Sequence, residues 1–197
     1  MHIGIYIYDN AEVLDFSGPF EVFSTAKRLG APHWQVSLIS QAGKCVSARG
    51  GFNVTPHFGF HDHPELDVII VAGGVHEAEL LKPDVMHWLQ SQNRSTRITA
   101  SVCTGAFLLA EAGFLDDLKV TTHWEDQAQL QRQFPRLNVV ANQSWVSAGK
   151  FVTSGGISAG IDMSLYLVSR LVSDELAAAT ARQMEYRWNH RPALSAP

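Results

Sequence analysis

RITASVCTGAFLLAEAG, residues 97–113, runs from an apolar stretch through Cys103-Thr104-Gly105 into a short apolar helix that Gly113 stops. RITASV at 97–102 reads as a strand buried inside a parallel sheet, and the helix starts with almost no connecting loop. Strand, sharp turn and helix in that order are the signature of an open α/β fold with a side chain presented at the turn.

The same grammar extends outward. DVIIVAGG at 67–74 is a β-branched run closed by paired glycines, again a strand covered on both faces. HIGIYIY at 2–8 puts Ile3, Ile5 and Ile7 on one face before Asp9-Asn10, which predicts the first strand. Gly18-Pro19 is expected to open helix one, whose Phe20, Phe23 and Ala26 recur at helical spacing up to Gly30. WQVSLIS at 34–40 reads as a strand, and residues 41–63 as a hairpin or surface excursion. Residues 76–91 are helical with a break at Pro83, KVTTHW at 119–124 is a short strand, and residues 124–134 are helical. LNVVA at 137–141 and WVSAGKFVTSGG at 145–156 read as strands, the latter turning at Gly149-Lys150. Two helices follow from Ile157 to Trp188, divided near Val172-Ser173-Asp174. Alternating β and α units without repeat or linker predict one doubly wound α/β domain over residues 1–197, with the strands at 2–8, 67–72 and 97–102 central in the sheet.

Composition narrows the function. Hydrophobic residues make up 46% and charged residues 17% of 197 residues, enough apolar content for a full core. A net charge of −4 and a pI near 6.1 lack the basic footprint of phosphate-backbone binding, so nucleic acid is not an expected partner. No stretch is long and apolar enough to span a bilayer, and the N-terminus does not read as a signal peptide. Two cysteines, Cys45 and Cys103, make neither a disulfide framework nor a paired zinc motif, which fits a reducing cytoplasm.

Cys103 occupies a nucleophile's address. At a strand-to-helix turn, the first N–H groups and the helix dipole stabilise a thiolate, which predicts a pKa below the free value of about 8.5. The competing reading is a packed, inert cysteine, which Cys45 keeps. Gly73-Gly74 lies at the C-terminal edge of its strand, where the N–H of Gly74 and that of Thr104 are placed to form an oxyanion hole; a plain tight turn is the alternative. Asp15, between Leu14 and Phe16, is a desolvated carboxyl suited to proton transfer or else a helix cap, and Glu21 competes for that acidic role. His123 ends the KVTTH segment as a base or orienting group or as a structural histidine. His57, His61 and His63 match no common ligand spacing, so no metal is expected. Phe52, Phe58, Phe60 and Trp145 either line an apolar substrate pocket or pack in the core.

LDFSGPFEVF at 14–23, VAGG at 71–74, SVCTGAFLLAEAG at 101–113, TTHW at 121–124 and SGGISAGIDMSLYLV at 154–168 together resemble the ThiJ/PfpI superfamily, and its isocyanide hydratase-like subgroup in particular. The resemblance implies a flavodoxin-like sandwich of the class I glutamine amidotransferase type, a mostly parallel sheet with helices on both faces and a nucleophile elbow. It also implies a homodimer and a small-molecule substrate without a cofactor. Carried over by position, Cys103 is the nucleophile, Asp15 the adjacent acid, and Gly74 and Thr104 the backbone donors. Proteases of the family place His directly after the cysteine, where this chain has Thr104, which disfavours peptide hydrolysis. Glyoxalase and deglycase members carry a glutamate on helix one, in contrast to Asp15 with Gly18-Pro19. Regulator relatives add a helix-turn-helix domain of roughly a hundred residues, and on length, with EYRWNHRPALSAP at 185–197, and on charge a DNA-binding regulator is not the expected reading. The implied activity is cysteine-dependent hydration of an isocyanide to an N-substituted formamide. A glyoxalase or deglycase acting on reactive carbonyls and a thiol sensor or ligand-binding module are the alternatives.

Overall fold

The computed structural model describes residues 1–190, so EYRWNHRPALSAP is described as far as His190. In chain order the elements are β1 (His2–Tyr6), α1 (Val13–Leu29), β2 (Gln35–Ile39), β3 (Val46–Ala48), β4 (Phe52–Val54), β5 (Val68–Val71), α2 (Glu77–Leu80), α3 (Pro83–Gln92) and β6 (Ile98–Val102). They continue with α4 (Gly105–Glu111), β7 (Lys119–Val120), α5 (Gln127–Gln133), β8 (Asn138–Val139), β9 (Trp145–Ala148), β10 (Phe151–Ser154), α6 (Ala159–Leu171) and α7 (Asp174–Gln183).

The central sheet has the order β2-β1-β5-β6-β10-β9, parallel throughout except for β9, which pairs antiparallel with β10. The three strands expected at its centre are β1, β5 and β6, and every residue in them is buried. Burial on both faces follows from the helices. α1, α6 and α7 pack together on one side, and α2, α3 and α4 on the other. The alternating units predict a doubly wound α/β domain and the family resemblance implies a flavodoxin-like one; the fold is such a mostly parallel α/β sandwich.

Several boundaries differ from the sequence reading for local reasons. Helix α1 starts at Val13, so Gly18-Pro19 lies inside it and does not open it. A proline ring has a helix-compatible φ and here removes one hydrogen bond, to the carbonyl of Asp15, early in a helix whose apolar face is otherwise well packed. KVTTHW forms a strand only at Lys119–Val120, paired with β8 in a separate two-stranded sheet. Beyond it, side chains take over the backbone bonding: the Thr121 N–H donates to Thr153 Oγ1 at 2.8 Å, and Thr122 Oγ1 donates to the Cys103 carbonyl at 2.7 Å. Within residues 41–63 the structure has the β3–β4 hairpin.

Pro83 acts as expected, ending α2 and standing at the start of α3. The division near Val172-Ser173-Asp174 is a cap: Ser173 Oγ accepts the Leu176 N–H at 3.2 Å and opens α7. Because α7 packs on both α1 and α6, loss of that cap reaches the whole fold. Ser173→Ala is expected to cost about 1 kcal/mol in a urea unfolding titration, the usual worth of a cap.

Candidate active site

Cys103 follows β6 directly and has φ 52°, a left-handed backbone rarely taken by a non-glycine residue. The turn is held by its neighbours. The Cys103 N–H is shared between the carbonyls of Ser154 and Gly155, each at 3.2 Å, and the Cys103 carbonyl accepts from Thr122. Gly105 permits the sharp entry into α4, since a Cβ there would stand 2.3 Å from the Val71 carbonyl oxygen. Strain maintained in this way is typical of a side chain fixed for a task.

Asp15 reaches the same point from the first turn of α1. Its carboxyl is fully buried, Oδ2 accepts the Gly73 N–H at 3.1 Å, and Oδ1 has no hydrogen-bond partner. A Cβ built on Gly73 would lie 2.6 Å from the Thr104 nitrogen, 2.7 Å from Asp15 Oδ2 and 2.8 Å from Cys103 Cβ, which shows how tightly these groups converge. Burial pushes the Asp15 carboxyl up from 3.8 to about 8; the Gly73 N–H opposes this, the Glu12 charge adds to it, and the Cys103 thiol beside it opposes it. At neutral pH Asp15 is therefore a carboxylic acid, able to donate as well as accept.

The thiol's ionisation differs from expectation. Burial pushes the Cys103 thiol up, a negative Asp15 adds to that, and the Thr104 N–H facing the sulfur draws it down. The predicted low pKa rested on the helix N-terminus, but α4 has only seven residues and the cysteine is 7% exposed, so desolvation outweighs the dipole.

The glycine amides are engaged elsewhere. The Gly73 N–H serves Asp15, and the Gly74 N–H donates to Thr104 Oγ1 at 2.8 Å while that hydroxyl donates to the Gly74 carbonyl at 2.9 Å. Of the two amides expected in an oxyanion hole, the one directed at the sulfur is that of Thr104. Gly74 instead fixes Thr104.

His123 joins the site from the other side. A Cβ on Gly156 would meet His123 Cδ2 at 2.2 Å and Cys103 Sγ at 3.2 Å, so ring and sulfur flank the same glycine. His123 Nδ1 faces Asp126 at 3.5 Å and Glu125 at 3.8 Å. Cys103, Thr104, Gly74 and His123 line a cavity of about 460 Å³ whose remaining wall includes Glu12, Arg49, His76, Glu77, Glu125 and Asp126.

Other candidates lie apart. Glu21, the rival acid, is on the exposed face of α1, where it accepts from Thr25 and pairs with Arg28 at 3.5 Å. His57 Nδ1 accepts the Leu38 N–H and its ring stacks on Phe20, while His63 Nε2 accepts from Trp88. Among the described residues no three His, Cys, Asp or Glu side chains group as a metal site. Phe60 stacks on Trp88 and Trp145 on Tyr166, and neither they nor Phe52 and Phe58 line the cysteine cavity. Cys45 is exposed. Sequence reasoning missed the charged wall. A signal existed for Asp126, one helical step beyond His123, whereas Arg49 comes from the β3–β4 turn and is drawn in by a bond from its N–H to the Ala11 carbonyl.

The chain is 33% identical over 185 residues to the HTH-type transcriptional regulator GbdR of Pseudomonas aeruginosa, an alignment covering 93% of this chain and 50% of the regulator, so it spans half that relative's length. It is likewise 33% identical over 188 residues to the isonitrile hydratase of Pseudomonas putida, covering 94% of this chain and 78% of the enzyme. The crystal structure of a ThiJ/PfpI family protein from Pseudomonas syringae superposes with a TM-score of 0.85 at 24% identity, over 95% of this chain and 76% of that one. Among the described residues no helix is long and apolar enough to cross a membrane. The strand-to-helix elbow that carries Cys103 and the sheet that supports it fall within residues 1–170, which match the DJ-1/PfpI family model, and the chain belongs to the DJ-1/PfpI family.

Proposed function

We propose that this protein is a cofactor-independent, cysteine-dependent hydratase of a small electrophile, converting an organic isocyanide to an N-substituted formamide. The observation that carries this reading is the convergence of the buried Asp15 carboxyl with Cys103 around Gly73, behind a cavity of about 460 Å³ that Cys103 lines. The 33% identity to an isonitrile hydratase supports the choice of electrophile.

The chemistry balances without an external base. The sulfur bonds to the terminal carbon of R–N≡C while the Asp15 carboxyl donates its proton to that carbon and takes the thiol proton, which leaves the thioformimidate R–N=CH–S–Cys103. Water then adds to the same carbon, one of its protons goes to nitrogen, and the sulfur departs with the other to give R–NH–CHO and the free thiol. A carboxyl that is neutral below about pH 8 suits this relay because it gives and receives a proton without a net charge in the buried site.

The likeness to GbdR favours a second reading, a sensor module whose cavity holds an effector without turnover. One assay panel separates the readings, using isocyanides, methylglyoxal and peptides with native and Cys103→Ala protein. Formamide formation abolished by the substitution is the expected result. Cysteine-dependent loss of methylglyoxal instead would replace the hydratase with a glyoxalase or deglycase, and the absence of any cysteine-dependent turnover would leave the sensor.

A further inference from the structure

We propose that Thr122 is a positioning residue for the reaction at Cys103: its hydroxyl holds the Cys103–Thr104 peptide plane so that the Thr104 N–H faces the sulfur. This rests on the reading of Cys103 as the reactive group. The Cys103 carbonyl and the Thr104 N–H belong to one peptide unit, and in a trans unit they point to opposite sides. Whatever grips the carbonyl therefore aims the amide. Thr122 Oγ1 grips it at 2.7 Å, the shorter of two bonds to that oxygen, the other coming from the Ala106 N–H at 3.4 Å. On the far side of the plane the Thr104 N–H faces Cys103 Sγ and favours the thiolate.

The elbow gives this plane little other support. Cys103 has φ 52° between a strand and a helix, and its own N–H is fixed by the Ser154 and Gly155 carbonyls. Those bonds set the plane before the cysteine. The plane after it lies beyond β6 and ahead of α4, whose first turn supplies just the long bond from Ala106. Thr122 is itself 1% exposed, and its surroundings are anchored independently of the elbow. The Thr121 N–H donates to Thr153 Oγ1 at 2.8 Å, Thr121 Oγ1 to the Val140 carbonyl at 3.0 Å, and Gln127 Nε2 to the Thr122 carbonyl at 3.4 Å. Thr122 is not in the wall of the cysteine cavity, so it acts through the peptide and not on a substrate. Its bond to the carbonyl also polarises the unit, which strengthens the N–H as a donor to a thiolate.

The test is alkylation by iodoacetamide, in which the thiolate displaces iodide and becomes a thioether. Rates are read by peptide mass from about pH 6 to about pH 9, with exposed Cys45 as an internal control. In Thr122→Val protein, which keeps the shape and loses the hydroxyl, the rate at Cys103 relative to Cys45 is expected to fall about 10-fold or more at every pH. Thr122→Ser, which keeps the donor, should stay within about twofold of native protein. A purely structural role has the opposite sign, because a loosened elbow exposes the buried thiol, eases its ionisation and speeds alkylation. A native or faster rate in Thr122→Val, or an equal loss in Thr122→Ser, would overturn the proposal. Should the valine variant not fold, Thr122→Ala is judged by the same rates. If native Cys103 is not alkylated while Cys45 is, the reactive-thiol reading fails. The positioning claim is then decided by hydrogen exchange of the Thr104 amide, read by NMR. Exchange about 10-fold faster or more in Thr122→Val, restored in Thr122→Ser, with the Cys103 amide unchanged, upholds it. Unchanged exchange at Thr104, or both amides quickening together, overturns it.

Discussion

Asp15→Asn protein is expected to be more stable than the native protein at pH 9, by on the order of a few kcal/mol, and to show little advantage at pH 4. The sign follows from the direction of the shift. Asp15 in the folded protein holds its proton to about pH 8, against an ordinary value of 3.8. Its contribution is therefore fully present below about pH 4 and is lost as the pH rises through 8, because over that interval the unfolded chain has released a proton that the native state retains. Asparagine keeps an acceptor for the Gly73 N–H and never ionises, so the variant escapes the loss. Thermal melts from pH 4 to pH 9 should show the two proteins diverging; parallel curves would mean that Asp15 is an ordinary carboxylate. The same substitution removes the proton relay, and turnover should fall by about 10²–10⁴-fold, the range for loss of a general acid or base.

Gly74→Ala is expected to be the most disruptive single-methyl change at the site. Gly74 has φ 138°, which an alanine does not adopt without strain, and its Cβ would stand 2.3 Å from the Asn10 carbonyl oxygen, 2.7 Å from Ala11 Cα and 2.8 Å from the Glu12 nitrogen. All three are backbone atoms, so no side chain can swing away. Relief requires separation of the loop after β1 from the end of β5, which also breaks the paired bonds between Gly74 and Thr104. A loss of about 3 kcal/mol or more in denaturant titration is expected, together with altered reactivity of Cys103. A variant as stable and reactive as native protein would show that this loop does not hold the elbow.

The sheet was legible because β1, β5 and β6 are buried on both faces, and such strands must be apolar whatever surrounds them. The elbow was legible for the same reason, since Cys103-Thr104-Gly105 interrupts an apolar pattern with small residues. Segment 119–124 was less so. Its threonines have strand propensity, yet their backbone and hydroxyl groups bond to Thr153 and Cys103, partners distant in sequence. The ionisation of Cys103 reversed because dipole and desolvation compete, and only the burial in the fold decides between them. The cavity wall was hidden for a related reason. Glu12, Arg49, the neighbours His76 and Glu77, and Asp126 come from four separate segments, and their side chains share a surface only after the sheet has assembled.

The claim that Cys103 is the bond-forming group is tested most directly by acid-quenching native protein within the first turnovers of an alkyl isocyanide and mapping its peptides by mass. The expected result is an increase equal to the intact isocyanide on the peptide that contains Cys103, absent from Cys45 and from Cys103→Ala protein. Formamide produced at the native rate by Cys103→Ala protein, with no adduct on Cys103 in the native protein, would contradict it.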